Sequence, residues 1–413
     1  MVSLHVRMAW RNIWRNRRRT VLTLSAIAFA TVLLVFMLSF QFGSYDVMIN
    51  TAVRIHTGHV QVQARGYHEN NDIRLVVTNY QMIGDRIKTI PSVQAYTYRA
   101  NAFSLVSSKN RTYGAIVTGI DPPREAAVST TASTMRQGVF LSEGDFNQTV
   151  LGELLAANLK VTVGDEVTIL GQGRDGSIAA TVAEVKGIYR SGQDEFDRGS
   201  LQIPLAFFQE VYAMPDAVHE VVAVCHSLSD VDTVKAILIA DLATITSPYS
   251  LVVLGWKELM PGLAQGIAID LVSGIIMYLL LVFVVAFSIL NTFLMAIFER
   301  TREFGVMMAI GVSPNRLARL LFLEAILMTA LGVLIGIIGG SLLTWYFQIH
   351  GITLEGVAEI ARQYGLSSTM YPRLTLVTAS VGPAAVMVIT CLSALYPTLK
   401  VRKLRPVEAM TYV

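Results

Sequence analysis

Four long, uncharged apolar runs constrain this chain more than any other feature. They are Val21–Phe42 (22 residues), Leu271–Phe298 (28), Ala325–Phe347 (23) and Leu374–Tyr396 (23). A helix needs about 20 apolar residues to cross a hydrocarbon core of about 30 Å, where every backbone N–H and C=O must be satisfied internally. Each run therefore predicts a membrane-spanning helix. The second would reach roughly 42 Å at about 1.5 Å per residue, so it is expected to tilt or to project from the bilayer. The first is too long for the apolar part of a signal peptide, and no small-x-small site follows at Gln41–Tyr45, so a retained anchor is expected. Only 15 % of the 413 residues are charged. Soluble domains carry about 25 %, and the shortfall is concentrated in the runs. Between the first two runs there is room for one domain of roughly 200 residues.

Charge gives the expected orientation. Residues 1–20 hold Arg7, Arg11, Arg15, Arg17, Arg18 and Arg19 and no acid. The segment between the second and third runs holds Arg300, Arg302, Arg316 and Arg319 against Glu299 and Glu303. The C-terminal tail holds Lys400, Arg402, Lys403 and Arg405 against Glu408. Together these segments carry 14 basic and 3 acidic side chains, whereas residues 43–265 carry 17 basic and 23 acidic ones. The positive-inside rule then places both termini and the 299–319 loop in the cytoplasm and residues 43–265 outside. The 348–373 loop, with Glu355, Glu359, Arg362 and Arg373, is expected outside as well.

Residues 1–19 read as an interfacial helix. Val6, Trp10, Ile13 and Trp14 share one face at helical spacing, and Arg7, Arg11, Arg15 and Arg18 share another. A basic helix with tryptophans suits the headgroup layer, so lipid phosphate rather than nucleic acid is the expected partner. The 43–265 segment reads as mixed α+β. Strands are predicted at Phe103–Val106, Ala115–Ile120, Val167–Leu170, Thr181–Tyr189 and Glu220–Val224. Helices are predicted at Met82–Lys88, Glu153–Asn158, Leu205–Tyr212 and Val231–Ala240, the last with Asp230 as N-cap. Gly171–Ser177 reads as a surface loop. Interleaved strands and short helices suggest ferredoxin-like α+β subdomains, with no boundary fixed by the sequence.

The search for chemistry is unproductive. No G-x-x-x-x-G-K-[ST], H-E-x-x-H, C-x-x-C or G-x-S-x-G motif occurs, so no P-loop, catalytic or metal site is expected, and no cofactor. Cys225 and Cys391 lie too far apart in character to pair and read as small buried hydrophobes. His56 and His59, three residues apart at an expected strand entry, point to different faces. Asp194, Glu195 and Asp197 read as a solvated loop. Asn291 and Thr292 lie deep in the second run, where a polar side chain seeks an inter-helix or inter-subunit hydrogen bond or bonds to its own backbone. Glu324 opens the third run and is expected to reach the interface or to pair with an arginine of the preceding segment. Gly332, Gly336 and Gly340 repeat at four-residue spacing, which predicts close helix packing within the chain or across a dimer, with Asn291 as a further packing residue.

The junction after the second run reads NTFLMAIFERTREFGVMMAIGVSPNRLARLLFLEAIL, residues 291–327. A span runs straight into charged residues, then a short amphipathic piece with Phe304, Val306, Met307 and Ile310 available for burial, then Gly311. Such an element can plug into a groove on a cytoplasmic partner. Asn291, Glu299, Arg300, Arg302, Glu303, Gly305, Gly311 and Glu324 resemble the pattern of FtsX/MacB-type ABC transporter permeases. Met308 departs from it, where the family often has arginine, which is expected to weaken one contact to the ATPase. Tyr396-Pro397 and the stretch from Arg405 to Ala409 resemble this family's ending. Gly119-Ile120-Asp121-Pro122, Val150–Gly164 and Gly58–Gln63 before Gly66-Tyr67 resemble its lipoprotein-releasing (Lol) branch.

The resemblance implies a four-helix membrane protein with a large α+β periplasmic domain between the first and second spans. The expected division is an interfacial helix at 1–19, spans at 20–42, 266–298 with a periplasmic stalk extension, 320–347 and 374–396, the domain at 43–265, a coupling helix and loop at 299–319, an outer loop at 348–373 and a tail at 397–413. It implies a non-catalytic subunit in a bacterial inner membrane, with ATP and Mg bound by a separate cytoplasmic ATPase dimer. Glu299, Arg300, Arg302, Glu303, Phe304, Gly305, Met307 and Gly311 would form the ATPase-coupling segment. A second permease chain and a periplasmic chaperone or adaptor are further implied partners. The first functional expectation is lipoprotein release by mechanotransmission. Export of a periplasmic small molecule or peptide, and regulation of a cell-wall hydrolase, are the alternatives.

Overall fold

Seven helical segments in chain order account for the membrane-type part of this computed structural model, which describes residues 2–109, 111–242, 250–353 and 369–402. An N-terminal helix, Val2–Ile13, leads through a short turn, Trp14–Asn16, into the first long helix, Arg17–Ala52. The second long helix is Pro261–Glu299, followed by a short helix, Thr301–Ala309. The third and fourth long helices are Pro314–His350 and Leu376–Arg402. Among the described residues, four helices are long and apolar enough to cross a membrane. Residues 354–368, which carry Glu355, Glu359 and Arg362, and the tail from Lys403 onward, with Arg405 and Glu408, lie outside the described residues.

The chain divides into two compact units: Met1–Tyr45, Ile267–Thr353 and Thr369–Val413 form one, and Asp46–Gly266 with Leu354–Ser368 the other. In the helical unit the apolar runs set the helices, but capping sets their ends. The first long helix continues past Phe42 to Ala52 and closes in a wider turn, Val53–Thr57, before Gly58 at φ +71°. The second starts at Pro261, ahead of the apolar run. Ile27, Leu34, Val282, Ile289, Val333 and Val386 form the core that joins all four long helices. Gly332, Gly336 and Gly340 pack against the first long helix, so the stripe works within the chain. A Cβ at these positions would stand 2.8 Å from Ile27, 2.3 Å from Thr31 and 2.9 Å from Val35. Gly382 does the same for the fourth helix, against Leu34.

The N-terminal helix departs from the expected single apolar face. Ala9 and Ile13 are buried, whereas Val6, Trp10 and Trp14 stay exposed, the two tryptophan rings 6.0 Å apart edge to face. The split follows from its position: one side packs inward, chiefly on the third long helix, and the other remains free for a lipid surface.

The inserted unit is built on strands. In chain order these are β1 (Val60–Ala64), β2 (Val77–Thr78), β3 (Val93–Ser108), β4 (Arg111–Ile120), β5 (Met135–Gly138) and β6 (Gln148–Gly152). There follow β7 (Glu166–Gln172), β8 (Ile178–Tyr189), β9 (Ser200–Pro204), β10 (Ala217–Val218), β11 (Glu220–Cys225) and β12 (Leu251–Gly255). Most join one mixed sheet in the order β12-β1-β11-β3-β4-β9-β6-β8-β5, with β7 between β3 and β8, while β2 and β10 pair apart. The sheet is connected throughout, the parallel β4–β9 pairing joining its two sides. The main core gathers Leu155, Ile169, Leu201, Ile203, Phe208 and Tyr212 among others.

Several local expectations change. Asp230 is the last residue of a short turn, Leu228–Asp230, and Ser227 rather than Asp230 caps it by accepting from the Ser229 N–H. Gly171 belongs to β7, so the loop narrows to residues 173–177 of a β7–β8 hairpin. Cys225 ends a fully buried strand. His56 sits in the turn that closes the first helix, its ring 5.3 Å from Phe196. His59 is locked between Asn50 Oδ1 (3.1 Å) and the N–H of Cys225 (3.0 Å). Asp197 is not solvated: it is 1 % exposed, accepts from the Ser191 N–H at 2.9 Å, and burial pushes its carboxyl up. Asp194, Glu195 and Asp197 form the first turn of a short helix, Asp194–Gly199.

Candidate functional site

The junction of the second and third long helices concentrates the charged residues of the helical unit. The second helix ends at Glu299, Arg300 takes a non-helical conformation, and the short helix starts at Thr301. Thr301 donates back to the Ile297 carbonyl at 2.9 Å, which ties the new helix to the end of the old one. Gly311, at φ +101°, ends the short helix in a conformation that favours glycine. Pro314 at the first turn then starts the third helix.

One face of the short helix is fixed. Phe304 is fully buried with Ile297, Leu317, Leu321 and Val401, and Met307 packs at the edge of that cluster. Thr301, Gly305 and Met308 are buried too. Arg300 is only 11 % exposed; its guanidinium lies 5.3 Å from the Phe304 ring centre, 3.3 Å from Glu303 and 3.7 Å from Glu324. The other face is open: Arg302, Val306 and Ile310 point outward, Ile310 at 77 % exposure.

Two ion pairs join this junction to the N-terminal segment. Arg15 donates to both Glu303 oxygens at 2.9 and 3.1 Å, and Arg19 reaches Glu299 at 3.3 Å. Burial pulls the Glu303 carboxyl upward, but hydrogen bonds and charge from Arg15 and Arg300 outweigh it and hold it below its ordinary range. Pairs this exposed contribute about 0–1 kcal/mol each, so they set orientation more than stability.

The eight residues expected to couple to a partner therefore separate. Glu299, Arg302, Glu303 and Gly311 are exposed, Met307 is half-buried, and Arg300, Phe304 and Gly305 turn inward. The inward three hold the helix in place, and the apolar residues left exposed are Val306 and Ile310, not Phe304. Met308 is buried, so its departure from the arginine pattern bears on internal packing rather than on the exposed face. Glu324 is 4 % exposed and pairs with Arg300 instead of reaching the interface. Asn291 lies where the second long helix borders the first. It is exposed on a groove lined also by Leu22, Thr23, Ala26, Ser288 and Met295, with no hydrogen-bond partner among the described residues.

Sequence reasoning missed a second polar cluster at the opposite end of the helical unit. Asp270 Oδ2 accepts from Tyr45 at 2.5 Å and from Gln41 at 3.1 Å, and Tyr278 donates to Gln41 at 2.9 Å. These bonds tie the first two long helices together, with Gly274 admitting the Gln41 side chain. In the inserted unit, Arg99 and Glu125 form a fully buried bidentate pair at 2.9 and 2.7 Å, and Arg99 also donates to the His56 carbonyl. Among the described residues no group of three His, Cys, Asp or Glu side chains is placed to hold a metal.

Four apolar helices, an inserted mixed-sheet domain and an internally braced helix between the second and third define the class: a four-helix membrane protein with a large inserted domain. Residues 20–240, more than half of the chain, match the MacB-like periplasmic core domain, and residues 275–406 match the FtsX-like permease C-terminal family. The chain belongs to the FtsX/MacB-type ABC transporter permeases. It is 27 % identical over 318 residues to the lipoprotein-releasing system transmembrane protein LolC of Xylella fastidiosa, covering 72 % of this chain and 73 % of that one. It is 22 % identical over 407 residues to LolC of Neisseria meningitidis, covering 95 % and 94 %. Among solved structures, the periplasmic region of MacB from Actinobacillus actinomycetemcomitans aligns at a TM-score of 0.37 and 12 % identity, over 51 % of this chain and 95 % of that one.

Proposed function

We propose that this chain is the membrane subunit of an ATP-driven machine that releases lipoproteins from the outer leaflet of a bacterial inner membrane, with both termini in the cytoplasm. The observation that carries the reading is the short helix Thr301–Ala309, braced from inside by Phe304 and Arg300 and open on its Arg302, Val306 and Ile310 face. A cytoplasmic ATPase dimer would dock on that face and supply ATP and Mg. The chain itself would be non-catalytic, pair with a second permease chain, and pass movement to its outer domain rather than conduct substrate through a pore. The tie between the first two long helices through Gln41, Tyr45, Asp270 and Tyr278 supports their moving as one body. The lipoprotein substrate rests on the names of the LolC relatives.

The test is Arg302→Glu combined with Ile310→Ala, two changes confined to the exposed face. The variant is expected to melt like the parent chain and to lose its co-purifying ATPase, because charged contacts set specificity at such an interface. Undiminished co-purification would overturn the docking assignment.

A further inference from the structure

Arg300 breaks the pattern of its neighbours. Arg302, Arg316 and Arg319 face outward, as cytoplasmic charges do, yet Arg300 turns in. It touches three groups on two elements: Glu303 and Phe304 on the short helix, and Glu324 on the third long helix. Glu324 Oε2 is buried and has no hydrogen bond, and Arg300 Nη1 stands 3.7 Å from it. Between them lies a small cavity lined also by Arg19, Thr292, Phe293, Met328 and Thr398, with room for about one water. Arg300 acts on Glu324 most strongly, with Arg19, Arg15 and the Asn12 side chain adding to it from the N-terminal segment. The pair is thus within Coulomb reach without being closed. Where the dielectric is low, a change of separation by a fraction of an ångström alters the energy steeply, and leaving either charge alone is costly.

Glu324 sits on the third long helix roughly two to four turns before Gly332, Gly336 and Gly340. At those glycines the third helix adds no side chain of its own to the contact, and even a methyl group would collide with Ile27, Thr31 or Val35 of the first. Close-packed contacts of this kind transmit displacement, since a dense interior does not compress.

We propose that Arg300 and Glu324 are positioning residues that carry movement of the short helix into the third long helix and, through the glycine stripe, into the first. This deepens the reading above and rests on it, because an ATPase must move the short helix. The first long helix would then receive the movement from the third helix as well as from its tie to the second.

The experiment uses the full chain with its co-purifying ATPase in lipid nanodiscs, and four variants: Arg300→Ala, Glu324→Ala, the double, and Arg300→Lys. A synthetic triacylated cysteine peptide serves as the substrate probe. The two single alanine variants are expected to keep the ATPase bound but to lose stimulation of hydrolysis by the peptide, and Arg300→Lys to recover it. Stimulation that persists in Arg300→Ala would overturn the proposal. A second measurement needs no ATPase: thermal unfolding of the chain alone, as a double-mutant cycle. A coupling on the order of tenfold in the unfolding equilibrium supports the pair, and additive effects overturn it. If the parent chain captures no ATPase, the docking reading fails while the cycle still decides the link.

Discussion

Near Arg99 lie two buried carboxyl groups, Glu125 and Glu220, and only one of them is paired with it. Arg99 is spent on Glu125, so Glu220 keeps only the Asn101 amide at 3.1 Å on one oxygen, and its other oxygen has no partner. Burial, with the nearby Glu125 charge adding and Arg99 and Asn101 opposing, pushes its pKa up from 4.5 to about 7. The folded protein therefore holds a proton there that the unfolded chain releases above pH 4.5. The stability this contributes is complete below that pH and is lost as pH rises to about 7. His219, lowered to about 4 by burial, works in the opposite sense, but it is common to parent and variant and cancels in their difference. Glu220→Gln is expected to melt like the parent near pH 4.5 and to be more stable by about 3 kcal/mol at pH 8, at roughly 1.4 kcal/mol per pKa unit. A difference that does not change with pH would contradict this. None of it was visible in the sequence, where Glu220 reads as one acid in a strand. Its burial depends on β11 lying between β1 and β3.

At the scale of elements, what the sequence revealed and what it hid divide by whether a partner was needed. The apolar runs are legible because hydropathy and length alone set a span. The glycine stripe is legible as spacing, but not its partner helix, which only the packing of first against third helix supplies. The phase of the short helix was misread for a physical reason. It carries apolar residues on both faces, so Phe304 and Val306 look equivalent until the Ile297–Leu321–Val401 cluster selects Phe304. The inward turn of Arg300 is not legible in its residue type, because a charge beside a span normally faces water. The stripe yields a direct prediction. Gly336→Ala places a methyl 2.3 Å from Thr31 Cβ and 2.8 Å from the Ala28 carbonyl oxygen, and overpacking of that kind costs about 1–3 kcal/mol. Gly266→Ala, in a helix with nothing within 4 Å, should instead gain about 0.5–1 kcal/mol. Thermal melting of both in the same detergent checks the contrast, and equal effects would show that the helices are not in contact along the stripe.

For the whole molecule, the division into a helical unit and an inserted sheet unit has its own test. The inserted unit owns its core, from Leu155 and Ile169 to Phe208 and Tyr212. Residues 46–260 expressed alone should be soluble and melt cooperatively, with aggregation across several choices of ends counting against an independent domain. The division was legible from composition. The continuity of its sheet was not, because the β4–β9 and β6–β8 pairings are parallel and join strands far apart in sequence. The central claim is that movement enters this chain on the exposed face of the short helix from an ATPase in the cytoplasm. A photo-cross-linking residue at Ile310, 77 % exposed, measures that most directly in intact cells. The account predicts one dominant adduct with an ATP-binding cytoplasmic protein, its yield changing when ATP is depleted. Adducts only with lipid or with proteins on the outer side of the membrane would contradict it.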